Sequence, residues 1–199
     1  MSYVSGYLDE VKAVVDGIDR TVIEKIVDLL VGIRENGGRL FFLGVGGGAG
    51  NASHAVNDFR KIAGIESYSP SDNVSELTAR TNDEGWDTVF VEWLKCSKLN
   101  QKDGIFVFSV GGRDAERNIS ANLVRALEYA QTRESKIMGI VGRDGGYAGK
   151  VGDACLIIPT VNQSTITTHT EAFQSVIWHL VVSHPNIQVS EMKWESTTE

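Results

Sequence analysis

Cysteine is scarce in this sequence: Cys96 and Cys155 are the only two among 199 residues, far apart and outside any Cys-x-x-Cys pattern. Two thiols so placed read as reduced side chains of a cytoplasmic protein. Positive charge is also scarce. The 19 Lys and Arg stand against 26 Asp and Glu, and the net charge of −7 disfavours an electrostatic hold on nucleic acid or on an anionic membrane. No apolar run approaches the roughly 18 residues of a membrane span. Residues 1–11 lack the basic-then-apolar order of a signal peptide. There is no internal repeat and no low-complexity linker. What remains, 42% hydrophobic and 23% charged, is ordinary globular composition, at a length that suits one domain with a full core. An acidic chain can still bind phosphate, through backbone N–H groups and a few placed side chains.

Residues 1–37 read as two helices. Tyr7, Val11, Val14 and Val15 recur at helical spacing until Gly17. A second pattern opens on a Thr21-x-x-Glu24 capping box, carries Val22, Ile26, Leu29, Leu30 and Ile33, and stops at Asn36, Gly37 and Gly38. Both precede any strand, which places them outside the sheet or against another subunit. Residues 38–184 then alternate. Short apolar strands are predicted at 40–43, 105–110, 137–141 and 154–159, with helices at 51–63, 114–131 and 167–182. Continuous apolar strands between amphipathic helices predict an α/β fold: a three-layer αβα sandwich around a parallel sheet, flavodoxin-like or Rossmann-like. Residues 185–199 form a polar tail, loosely ordered unless Trp194 anchors it.

In open parallel sheets ligands gather beyond the carboxyl ends of the strands. Two strands end there in glycine-rich loops, Gly44-Val-Gly-Gly-Gly-Ala-Gly50 and Ser109-Val-Gly-Gly-Arg113. Such loops free backbone N–H groups at a helix N-terminus, where the dipole favours an anion. The first also fits the GxGxxA dinucleotide pattern, with Glu66 near the ribose-binding place. Against that reading, the next helix carries His54, Asn57, Asp58 and Arg60 where close packing would want apolar residues. A tight turn with no ligand is the plain alternative. After the second loop, Arg113, Asn118, Ser120 and Asn122 suit a phosphate, or else decorate a solvated helix. His54 and Asp58, four apart, share one helix face and can hold a metal or act as an acid/base pair; alone, such a pair is often a surface feature. Glu171 and His179 lie two turns apart on the last helix, flanking a core face expected to hold Phe173, Val176, Ile177 and Leu180. His169 and His184 are expected in capping or surface roles.

Together these elements resemble the sugar isomerase (SIS) family, and within it the phosphoheptose isomerase branch, from Tyr7 to about His184. The first glycine loop matches a Gly-Asn-Gly-Gly-Ser loop in place and length. His54 and Asp58 match a His, three residues, then an acid. The run Asn82-Asp83-Glu-Gly85-Trp86 looks like an Asn-Asp-x-Gly-Phe segment, Gly142-Arg-Asp-Gly-Gly146 like a Gly-Lys-Asp-Gly-Gly turn, and Glu171 to His179 like a Gln, seven residues, then His.

The resemblance implies a ketose–aldose phosphate isomerase working through an enediol on sedoheptulose 7-phosphate, in a homotetramer with the site between subunits. It implies Asp58 as general base, His179 as partner acid/base, and Zn2+ or another divalent metal among His54, Asp58, Glu171 and His179. Gly46, Gly47, Gly48, Asn51, Asn82, Asp83, Ser109, Gly111, Gly112, Arg113, Ser120 and Glu171 would bind the sugar phosphate. The departures are chemical. Asp58 is one methylene shorter than the family's Glu, and a displacement of ~1 Å can cost about a hundredfold in rate. Glu171 adds charge in place of an amide, which should tighten metal binding. Val110 and Gly111 replace hydroxyl residues, for which Arg113 or Arg117 would compensate. An isomerase of another sugar phosphate, such as a hexulose phosphate, and a non-catalytic SIS module binding a sugar phosphate or a protein partner are the alternatives.

Overall fold

The computed structural model describes residues 2–111, 121–193 and 197. Five strands form one parallel sheet in the order β2-β1-β3-β4-β5: β1 (Leu40–Gly44), β2 (Ser67–Tyr68), β3 (Gly104–Ser109), β4 (Lys136–Val141) and β5 (Ala154–Ile157). This is the flavodoxin-like strand order. Alternate residues divide the core between the two faces. Phe42, Phe106, Phe108, Met138 and Ile140 pack with α2 (Arg20–Glu35), α3 (Gly47–Lys61) and α8 (Ile166–Val182). Phe41, Leu43, Ile105, Val107 and Ile137 pack with α5 (Val89–Cys96), α6 (Ala121–Thr132) and α7 (Gly146–Val151). Because both faces are covered, the strands are uniformly apolar, and the sequence reading of an αβα sandwich holds. No helix among the described residues is long and apolar enough to cross a membrane.

Several expectations are corrected. The second N-terminal helix does not lie outside the sheet: α2 buries Ile23, Ile26, Val27, Leu30 and Ile33 in the main core. Its cap is Asp19, not Thr21; the Asp19 carboxylate accepts from the Thr21 backbone N–H and hydroxyl at 2.9 and 2.6 Å. The stop is as read, with Gly37 at φ +63°. There Gly38 and Gly37 N–H groups return to the Ile33 and Arg34 carbonyls, a Schellman ending. The start of the tail is not loose: Ile187 is fully buried, and Arg34 donates to the Asn186 and Ile187 carbonyls. Trp194 lies outside the described residues. The two-residue β2, the helices α4 (Val74–Asp83) and α5, and the short α7 were not foreseen. The α4 helix buries no residue, so no apolar stripe announced it.

The first helix, α1 (Tyr3–Gly17), buries only Val14 and is held largely by one side chain. The Glu10 carboxylate accepts from Asn162 Nδ2 at 2.6 Å and Thr165 Oγ1 at 2.8 Å, and meets His169 Nε2 at 2.8 Å. Tyr7 covers the His169 ring, centroids 4.5 Å apart. Of the capping or surface role expected for His169, the surface one is excluded, for the residue is buried at 3% exposure. The hydrogen bonds from Asn162, His169 and Thr165 pull the Glu10 carboxyl down from 4.5 to about 2. A folded value below the unfolded one contributes stability above about pH 4.5 and loses it as pH falls through 2. The melting temperature of the wild type should exceed that of Glu10→Gln at neutral pH, and the gap should close between pH 4.5 and 2. A gap independent of pH would refute the assignment.

Candidate active site

The strand order reverses between β1 and β3, so the connections after these strands part and leave a crevice at their carboxyl ends. The first bordering loop needs glycine for close approach. A Cβ on Gly44 would strike the Gly48 backbone, and one on Gly48 would stand 2.6 Å from the Phe108 carbonyl oxygen. The first turn of α3 therefore sits directly against β3, and the helix starts at Gly47, four residues before the expected Asn51. Its cap, Gly46, has φ +61°, a region that side chains rarely enter.

This α3 helix presents His54 and Asp58, and α8 runs beside it. Asn51 braces the two, its Nδ2 donating to the Glu171 carbonyl at 3.0 Å and to Gln174 Oε1 at 2.8 Å. Gln174, fully buried, donates onward to the Ile140 carbonyl at 3.3 Å. The brace sets His179 opposite the α3 pair. His54 Nε2 and His179 Nε2 lie 3.6 and 3.4 Å from Asp58 Oδ2, and the three ligand atoms fall within 4.8 Å of one another. Among the described residues no other group of His, Cys, Asp and Glu converges in this way.

Asp58 is buried, with 7% exposure, while both imidazoles are about half exposed. Asn57 Nδ2 donates to Asp58 Oδ1 at 2.9 Å, and Trp178 Nε1 donates to Oδ2 at 3.2 Å. His179 Nδ1 lies 2.7 Å from the Ser175 carbonyl oxygen. A carbonyl only accepts, so Nδ1 carries the proton and a neutral ring turns a bare Nε2 lone pair toward Asp58. A lone pair facing a carboxylate is satisfied by a cation between them, either a proton on Nε2 or a metal ion. Two imidazole nitrogens and one carboxylate oxygen form a donor set suited to zinc, with a coordination position left for water or substrate. The contact to Ser175 is the outer hydrogen bond that such a ligand carries. The residues present fit a divalent metal.

Glu171, the fourth residue of the expected set, stands outside that cluster. Its carboxylate lies against Gly47, where a Cβ would strike it, at the N-terminal turn of α3 favourable to an anion. Of the residues expected on the substrate, Gly46, Gly47 and Gly48 line this turn, while the Asn51 amide is taken up by the brace. Asn82 and Asp83 sit exposed at the end of α4, joined by a 2.7 Å hydrogen bond. Ser109 ends β3, buried, its hydroxyl without a hydrogen-bond partner among the described residues, and Gly111 follows. Gly112, Arg113, Arg117, Asn118 and Ser120 lie outside the described residues. Asn122 does not decorate a solvated face; it is fully buried.

Two residues near the crevice had no role in the sequence reading. The core face of α8 is half as expected: Phe173 and Ile177 are buried, but Val176 and Leu180 are 52% and 44% exposed, and Gln174 and Trp178 are buried in their place. That rotation brings Trp178 under the His–Asp–His cluster. Arg143 was passed over inside its turn. It has φ +53°, and its Cδ lies 4.0 Å from the point a Gly111 Cβ would occupy, so its side chain reaches the second glycine loop.

Comparison with known proteins agrees with this architecture, for residues 6–142 match the SIS domain family. The chain belongs to that family. A phosphoheptose isomerase from Helicobacter pylori is 30% identical over 144 residues, 69% of this chain and 71% of that one. Another, from Roseiflexus, is 28% identical over 202 residues, 96% and 94% of the two chains. Lincomycin biosynthesis protein LmbN of Streptomyces lincolnensis is 30% identical over 159 residues, 74% of this chain. The SIS chain spans only 56% of that relative's length. Among solved structures, phosphoheptose isomerase GmhA from Neisseria gonorrhoeae shares the fold, with a TM-score of 0.78 at 21% identity over 90% of this chain and 95% of that one.

Proposed function

We propose that this SIS protein is a metal-assisted aldose–ketose isomerase of a sugar phosphate, with sedoheptulose 7-phosphate and D-glycero-D-manno-heptose 7-phosphate as the leading pair. The observation that carries the reading is the convergence of His54, Asp58 and His179 where α3 and α8 run side by side. Similarity to phosphoheptose isomerases supports the substrate class.

The reaction moves a proton between neighbouring carbons and needs no redox cofactor. Asp58 takes the proton beside the carbonyl, giving an enediol, and His179 handles the proton that passes between the oxygens. His54, Asp58 and His179 would hold the metal, and Glu171 stands apart from them against Gly47. When bound, it supplies Lewis-acid polarisation of the carbonyl. The Ser109 hydroxyl and the amides of Gly46 and Gly47 hold the phosphate, and Arg143 adds the cation that the second loop lacks among its described residues. Both imidazoles are half open, and Val176 and Leu180 expose apolar surface beside His179. A second copy of the chain, in a homotetramer, would close that face.

The test is zinc-loaded protein with sedoheptulose 7-phosphate, product followed by NMR, beside a panel of other sugar phosphates. The panel matters because one relative is named for antibiotic biosynthesis. Aldoheptose phosphate is the expected product. Turnover of another member would move the substrate and keep the reaction. Absence of both turnover and bound metal would overturn the reading.

Arg143 gives a second check. A charge-assisted hydrogen bond contributes about 1.5–3 kcal/mol, so Arg143→Ala should raise KM roughly 10- to 100-fold at nearly constant kcat. Arg143→Gly should raise KM equally while leaving the fold no less stable, because glycine adopts a positive φ without strain. Unchanged KM in both variants would remove Arg143 from the site.

A further inference from the structure

We infer that Trp178 is a positioning residue of the metal centre, one that locks the Asp58 carboxylate so that Oδ2 alone is presented to His54 and His179. The inference rests on the metal-site reading above and adds to it a residue that acts through Asp58 and not on the substrate.

An indole N–H can only donate, and a buried one must find an acceptor. Trp178 is 1% exposed, and its acceptor is Asp58 Oδ2, the oxygen nearest both imidazoles. The other oxygen is held by the Asn57 amide. Rotating the carboxylate out of its present plane would break both hydrogen bonds at once. Asp58 is therefore held by donors from two helices, α3 and α8, and offers the His pair one oxygen. The ring itself is a wall: its centroid lies 5.1 Å from that of His54 and 4.7 Å from that of His179, with Phe108 behind it at 5.8 Å. Trp178 thus contacts all three residues of the cluster while staying out of solvent. Outer hydrogen bonds to ligating groups commonly govern metal affinity by 10- to 100-fold.

The two contributions separate by substitution. Trp178→Phe keeps an aromatic wall and removes the N–H. Zinc affinity of the full chain is measured by chelator competition, and the visible spectrum of the cobalt-loaded protein reports ligand arrangement without reference to turnover. The wild type should bind one zinc, and Trp178→Phe should bind it roughly 10- to 100-fold more weakly with an altered cobalt spectrum. Equal affinity and an identical spectrum would overturn the inference and leave the metal site standing. A wild type that binds no zinc would overturn the site reading, and this inference with it. Should Trp178→Phe fail to fold, the indole N–H signal of Trp178 can be followed by NMR. It is assigned by substituting Trp86, Trp93 and Trp194 in turn. That signal should move on Asp58→Asn substitution and again on adding zinc to the wild type; a signal unmoved by both would refute the contact.

Discussion

Asp58→Asn should lower isomerase turnover by about 10²–10⁴-fold, the range for loss of a positioned acid/base group, and should weaken zinc binding in parallel. The substitution keeps size and shape, but the site wants two acceptors. Asn57 and Trp178 each donate to one Asp58 oxygen, and an amide has one oxygen to offer. One donor must then face the NH2 group, at a cost of about 1–3 kcal/mol for a buried unsatisfied partner, which a core of this size withstands. His179→Ala should fall in the same range. If the two residues act as a unit, the double variant should be little worse than either single one. Turnover measured with the zinc-loaded variants decides it, and an Asp58→Asn rate within tenfold of the wild type would remove Asp58 as the base.

The second large effect lies at the opposite end of the sheet. Asp103, 1% exposed, sits where β1 and β3 begin, and its carboxylate gathers five donors. These are the Arg39 backbone N–H, Nε and Nη2, and the Asn100 backbone N–H and Nδ2, at 2.8–3.1 Å. Truncating one partner of a buried pair typically costs about 3–5 kcal/mol, because the other charge is left unpaired. The Arg39 side chain retains 24% exposure, and water can reach part of it, which favours the lower end for Asp103→Ala. Urea unfolding should show the midpoint falling at constant slope. A loss below about 1 kcal/mol would mean that solvent replaces the carboxylate without difficulty. Activity should persist wherever the variant is folded, since the pair lies at the amino ends of the strands.

Much of this arrangement can be read in the chain because two periodicities are clean. The four strands read from the sequence are short and mostly apolar, so their parallel direction follows from the helices between them. His54 and Asp58 are legible because four residues make one turn. Trp178 was not, and the reason is physical. The α8 helix is apolar around most of its circumference, with Val176 and Leu180 outside and Ile177 and Val181 inside, so periodicity alone cannot say which stripe faces the sheet. Arg143 was illegible because only the left-handed turn, invisible in residue order, aims its side chain at the second loop. The Asn51 brace was read as a substrate contact because nothing local reveals Gln174 as its partner. Glu171 matched by position to a metal ligand, yet its carboxylate rests on Gly47, a placement set by how α8 meets α3.

The sheet's two margins shape how copies of this chain can meet. At one margin β2 pairs through only two residues, Leu40 with Ser67 and Phe41 with Tyr68; at the other β5 has four. A sheet this apolar would be an aggregation hazard if a long edge lay open, because unpaired backbone groups template the addition of strands from other chains. With so little edge on offer, strand exchange and fibre-like stacking find no purchase. Encounters between molecules are left to the helical exterior, where Tyr3, Val4 and Leu8 on α1, Val74 on α4 and Val176 on α8 stand exposed. Side chains on a rigid helix meet in a fixed geometry and come apart without unfolding. Self-association of this protein should therefore be reversible and concentration-dependent, and should leave the sheet untouched.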